Sequence, residues 1–177
     1  MSFTEKCLNS NIVYRGKIIR VHCDDAVLPN GKKCKREFVE HGGGACVLFV
    51  EAGALLLVRQ FRYAYGEELW EIPAGKLNEG EEPELTARRE LEEETGFIPE
   101  KLSLMRIMYP SPGYTNEKIF IYRAETAKKG TVHLDEDEFL NACFIPLPQV
   151  LKMIESGEIR DAKTLVAVQA YLLNEKL

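Results

Sequence analysis

Apolar and polar positions alternate along residues 18–28 and again along 34–41, on either side of Pro29-Asn30-Gly31, the signature of a β-hairpin. Two apolar runs, 45–50 and 54–58, flank a second glycine-containing turn and predict a further pair of strands. The period changes over 83–95. Ala87 and Leu91 stand at i,i+4, Pro83 suits a first helical turn and Gly96 a C-cap, so this block predicts a helix. Strands are predicted again at 102–108, 118–124 and 142–146, and the tail from Pro148 reads as two helices broken at Gly157. Strand-rich, helical, strand-rich and helical blocks in that order predict an α+β fold. A mixed sheet packed between helices as an α/β/α sandwich, with an N-terminal β-hairpin extension, is expected in place of a doubly wound βαβ array.

Composition narrows the function classes. A chain of 177 residues, 45% of them hydrophobic, can bury one sizeable core, which predicts one domain with a small appendage. The net charge of -5 excludes the basic footprint of a nucleic-acid binder. Five scattered cysteines without CxxC spacing fit neither a disulfide framework nor a zinc knuckle. The first residues, MSFTEKCLNS, hold no apolar signal region, and no run approaches the ~20 apolar residues of a membrane span. A cytoplasmic protein with no membrane partner is expected.

The predicted helix carries the chemistry. Glu90, Glu93 and Glu94 stand at i, i+3 and i+4, so helical geometry brings three carboxylates onto one face. Without a cation, each like-charged i,i+4 neighbour costs about 0.2–0.5 kcal/mol. A hard divalent cation takes oxygen ligands and shares its coordination with phosphates, so the face is a candidate metal site. The spacing also allows a plain solvated helix, with Arg88 set to pair with Glu92 and Arg89 with Glu93.

The surrounding residues favour the metal site. Gly75, Glu81, Arg89, Glu90, Leu91, Glu93, Glu94, Gly96 and Phe97 occupy every fixed position of the pattern Gly-x5-Glu-x7-Arg-Glu-U-x-Glu-Glu-x-Gly-U, where U is bulky and apolar. The chain therefore resembles a Nudix hydrolase. The segments KREFVEHGGGACVL, RQFRYAYGEELWEIPAGKL and YPSPGYTNEKIFIY, with Pro112 downstream of the box, resemble the bacterial ADP-ribose pyrophosphatase branch of that family. Asn116 and the glycine-rich HGGGA depart from the branch's commoner spellings, which bears on substrate preference more than on catalysis.

The resemblance implies Mg²⁺, with Mn²⁺ as an alternative, held by Glu90, Glu94 and the carbonyl of Ala74. Glu93 is implied as a third ligand or a supporting carboxylate. Arg89 would orient Glu93 or Glu81, Glu81 would brace the loop, and Gly75, Gly80 and Gly96 would permit tight backbone turns. By the same resemblance Arg36 and Glu37 contact the adenine or its ribose, Arg62 a phosphate and Glu117 the terminal ribose. The general base would lie on the acidic loop HLDEDEFL, at Glu136 or Glu138, with Asp135 and Asp137 as neighbours in register. Residues 1–42 would form a β extension that dimerises, and 43–177 the hydrolase domain. The implied reaction converts ADP-ribose to AMP and ribose 5-phosphate. The alternatives are a pyrophosphatase for another sugar nucleotide or a dinucleotide, and a non-catalytic ADP-ribose sensor.

Overall fold

The computed structural model describes residues 2–134 and 138–174. The chain divides into two compact units, residues 1–43 with 109–118, and residues 44–108 with 119–177.

The first unit is a four-stranded antiparallel sheet. β3 (Ile19–Val27) and β4 (Lys33–His41) form the expected hairpin, in register from Ile19 opposite His41 to Val27 opposite Lys33. Gly31 takes the positive φ of 83° that closes the turn. Two short strands that the hydrophobic pattern did not mark, β1 (Lys6–Asn9) and β2 (Ile12–Arg15), lie along the other edge of β3. They show no clean alternation because their side chains are almost all exposed.

The second unit holds a seven-stranded mixed sheet, whose main path runs β11, β6, β5, β10, β9. These strands are β5 (Gly44–Glu51), β6 (Ala54–Arg62), β9 (Phe97–Met108), β10 (Ile119–Lys129) and β11 (Leu140–Pro146). Short strands β7 (Glu67–Glu71) and β8 (Ala74–Lys76) add to β6 and β5. The β5–β10 pair is parallel and its neighbours antiparallel, so the sheet is mixed.

β5 lies at the centre with both faces covered, which is why it reads as a continuous apolar run. Cys46 and Leu48 pack with Leu55, Leu57, Val150, Met153, Ala167 and Val168 under helices α2 (Leu147–Glu155) and α3 (Ala162–Asn174). Ala45, Val47 and Phe49 face the other way, onto Ala87 and Leu91 of α1 (Pro83–Thr95). Alternate residues of one strand thus feed two cores, and the second unit is an α/β/α sandwich. No helix of the described residues is long and apolar enough to cross a membrane.

Candidate active site

α1 begins on Pro83 and stops at Gly96, whose φ of 71° lets its N–H turn back to the Glu92 carbonyl at 2.7 Å. The helix does not present three equivalent carboxylates. Glu94 is 2% exposed and Glu90 9% exposed, whereas Glu93 stays half-buried at the edge. Glu94 accepts the Ala74 N–H at 3.0 Å, which ties the helix to β8. Burial, together with the charges of Glu138 and Glu90, raises the Glu94 pKa well above the ordinary carboxylate range, against the Ala74 hydrogen bond and the more distant charge of Arg62. Burial also raises the Glu90 pKa, although Arg89 opposes the shift.

Arg89 is the organising cation. Its guanidinium meets Glu81 at 3.2 Å, Glu90 at 2.6 Å and Glu93 at 3.0 Å, and also donates to the Lys76 carbonyl. The hydrogen bonds from Arg89, with one from the Asn78 N–H, lower the Glu81 pKa to about 2. Arg88 does not pair with Glu92. It reaches back to Glu84 at 3.6 Å and also donates to the Pro99 carbonyl.

Gly75 and Gly80 serve different needs. Gly80 takes a φ of 76°, a turn position that suits glycine. Gly75 is needed for space. A Cβ there would lie 1.9 Å from the Glu90 carboxyl carbon, so any side chain would displace that carboxylate.

Among the described residues, no group of three or more histidine, cysteine or acidic side chains is gathered closely enough to hold a metal ion. The reason is local: Arg89 draws Glu90 and Glu93 to itself while Glu94 points inward. The donors nonetheless fit a hard cation. They are carboxylate and carbonyl oxygens, Gly75 leaves the Glu90 carboxylate its room, and the buried Glu94 charge is poorly compensated.

Glu138 belongs to the same electrostatic neighbourhood, since its charge raises both Glu94 and Glu90, and Gln60 of β6 lies 3.5 Å from its Oε1. Glu136, Asp135 and Asp137 lie outside the described residues. Arg62, at the end of β6, is held by Glu71 through hydrogen bonds of 2.6 and 2.7 Å. In the first unit, Arg36 makes a forked pair with Glu5 at 2.7 and 2.8 Å, and Glu37, the next residue of β4, projects from the opposite face of the sheet. Glu117 lies 3.3 Å from Nδ1 of His41, a nitrogen that also accepts the Gly43 N–H.

Sequence reasoning passed over Glu71, Lys163 and Thr164. Glu71 is 2% exposed and paired with both Arg62 and Lys163. Thr164 accepts the Ile72 N–H at 2.9 Å, so α3 also holds the segment that leads into Ala74. The available signal was a glutamate between Trp70 and Ile72, and a lysine opening an otherwise apolar helix.

Residues 40–168 match the NUDIX domain family, and residues 5–39 match the nucleoside diphosphate sugar hydrolase N-terminal domain family. The chain is 44% identical to an ADP-ribose pyrophosphatase of Bacillus subtilis (strain 168), across 99% of this chain and 97% of that protein. It is 38% identical to a methanol dehydrogenase activator of Bacillus methanolicus, across 99% and 96%. A crystal structure of an ADP compounds hydrolase superposes with a TM-score of 0.87 at 22% identity, covering 99% of this chain and 97% of that one, which is a likeness of fold.

Proposed function

The chain belongs to the Nudix hydrolase family, and we propose that it hydrolyses the diphosphate of ADP-ribose to AMP and ribose 5-phosphate. The observation that carries the reading is Glu94, a buried carboxylate beside Glu90 whose charge is only partly offset, by the N–H of Ala74 and the charge of Arg62. Keeping such charges in a low-dielectric site is costly unless a cation takes them up. The N-terminal match to nucleoside diphosphate sugar hydrolases and the full-length likeness to an ADP-ribose pyrophosphatase supply the substrate class.

In this reading Glu90, Glu94 and the Ala74 carbonyl hold Mg²⁺ or Mn²⁺, with Glu93 beside them. When bound, the ion supplies charge neutralisation at the diphosphate and a lowered pKa for the attacking water. Arg89 braces Glu90 and Glu93 and anchors Glu81, so the carboxylates are set before substrate arrives. Arg62 offers a phosphate the guanidinium donors that Glu71 leaves unused. Glu138 takes the proton of the water. Arg36 and Glu37 contact the adenosine end and Glu117 the terminal ribose. Residues 1–42 act as the substrate-binding and dimerising extension of a hydrolase domain over 43–177. All five cysteines are unbridged, in keeping with a reducing cytoplasm.

A substrate panel under Mg²⁺ tests the assignment. ADP-ribose is expected to exceed GDP-mannose and NADH in kcat/KM by about tenfold or more, roughly 1.4 kcal/mol. NADH stands in the panel for the dinucleotide alternative and GDP-mannose for the other sugar nucleotides; a preference for either would replace the ADP-ribose reading with that substrate.

The extension supports a homodimer. Phe3, Leu8, Val13, Tyr14 and Ile18 are all exposed on or beside its short strands, an apolar surface that a two-fold partner would cover. Light scattering should give twice the 20.1 kDa chain mass. A monomer at micromolar concentration would remove the dimer.

A further inference from the structure

We infer that Lys163 is a positioning residue for the substrate's phosphate, acting through Glu71 on Arg62. The inference rests on the reading in which Arg62 binds that phosphate.

Glu71 is buried at the end of β7, and its carboxylate is shared. Oε1 accepts Arg62 Nε and Oε2 accepts Arg62 Nη2, while Lys163 Nζ donates to the same Oε2. Lys163 is itself buried in the first turn of α3 and also meets Asp161 Oδ1 at 3.0 Å. The other Asp161 oxygen accepts the Thr164 N–H at 2.9 Å and its hydroxyl at 2.6 Å, so Asp161 caps the helix. Lys163, held by that capped turn, is a fixed charge.

The consequence lies in geometry, because two cations and two carboxylates, Arg62, Lys163, Glu71 and Asp161, balance in one chain. With Lys163 fixing Oε2 of Glu71, the carboxylate is held in the one orientation that takes both Nε and Nη2 of Arg62, which sets the direction of the remaining guanidinium donors. Without Lys163 or the Glu71 carboxylate, that fork and the placing of Arg62 are lost. Arg62 is 38% exposed at its side chain, where Glu71 is 2% exposed, so the buried carboxylate fixes the fork and the accessible edge is left for a ligand. Arg62 also interacts with Glu94, which puts it in the field of the metal carboxylates. A lysine buried only for packing has no need of this arrangement, since a methionine would fill the same space without desolvating an ammonium.

The test compares K163M, R62Q and R62Q/K163M in steady-state hydrolysis of ADP-ribose, with Mn²⁺ binding to the free protein followed by electron paramagnetic resonance. K163M should raise KM by about tenfold, with kcat within about threefold and Mn²⁺ affinity unchanged. R62Q should raise KM at least as much, and adding K163M to it should have little further effect, because the lysine acts through the arginine. A merely structural lysine would lower melting temperature and active fraction while KM held. Loss of Lys163 leaves Glu71 short of a partner, so E71Q and E71Q/K163M, which leave no buried carboxylate unpaired, are measured alongside and should share one raised KM. Parental KM in K163M, or effects that multiply with those of R62Q or E71Q, would overturn the inference. If R62Q keeps the parental KM, the phosphate role of Arg62 fails, and the role of Lys163 with it. No hydrolysis by the parent would instead reject the reaction.

Discussion

Replacing Glu94 by glutamine should cut turnover of ADP-ribose by two or more orders of magnitude, about 3 kcal/mol or more in the barrier, and at the same time make the metal-free protein more stable at neutral pH. The glutamine side chain would keep the shape and, through its carbonyl oxygen, the Ala74 hydrogen bond while losing the charge. Because burial and the charges of Glu138 and Glu90 raise the pKa of Glu94 in the folded state, the folded protein holds this proton more tightly than the unfolded chain, where a glutamate titrates near ~4.3. The stability linked to Glu94 is therefore fully present below that unfolded value and is lost as pH rises through the folded one. The advantage of E94Q over the parent, followed by denaturant unfolding in chelator, should be small near pH 4 and grow upward. Saturating Mg²⁺ should shrink it, since a cation that binds only the folded parent stabilises that parent. Near-normal turnover of E94Q at saturating Mg²⁺, or a parent more stable than E94Q in chelator at neutral pH, would take Glu94 out of the metal site.

The double behaviour of Glu94 shows where sequence spacing stopped being informative. The i, i+3, i+4 pattern placed three carboxylates on one side of α1, but it could not grade them. Burial of Glu94 depends on β8 passing beneath the helix, a contact with Ala74 twenty residues away in the chain. Arg89 showed the same limit. Spacing offered Glu93 as its partner and the family resemblance Glu93 or Glu81, and the guanidinium reaches both and Glu90 as well, because five donors in a fork can serve several carboxylates. Gly75 was assigned to a turn, yet its reason is the Glu90 carboxylate across from it, which no local pattern encodes.

At the level of elements, long periodic segments were legible and short ones were not. The β3–β4 hairpin, β5, α1 and the two C-terminal helices carry enough repeats of one period to stand out. β7 and β8 are five and three residues long, and they exist because β6 and β5 offer hydrogen-bonding edges. β9 starts at Phe97, directly after the helix cap, five residues before its alternation becomes visible. The Glu71–Lys163 pair spans 92 positions, so only the folded sheet and α3 bring its halves together.

Glu138 carries the second large prediction. E138Q should lower kcat by about 10²- to 10⁴-fold while ADP-ribose still binds, because a general base acts on the transition state and not on ground-state affinity. The structure places Glu138 where its charge raises both Glu94 and Glu90, so the three carboxylates share one field, and the pH profile can separate its possible roles. If Glu138 is the base, the variant loses the acid limb of the kcat profile together with the rate. If it is only an electrostatic neighbour, its removal eases the burden on Glu94 and Glu90, and the acid limb moves to lower pH with kcat largely kept. If it is a metal ligand, excess Mn²⁺ restores part of the lost rate. A solvated turn would leave turnover within about threefold of the parent, since surface substitutions rarely exceed ±0.5 kcal/mol. That last result would move the base to Glu136 or to Glu93, and the same glutamine substitutions there, judged by the same loss of the acid limb, would identify it.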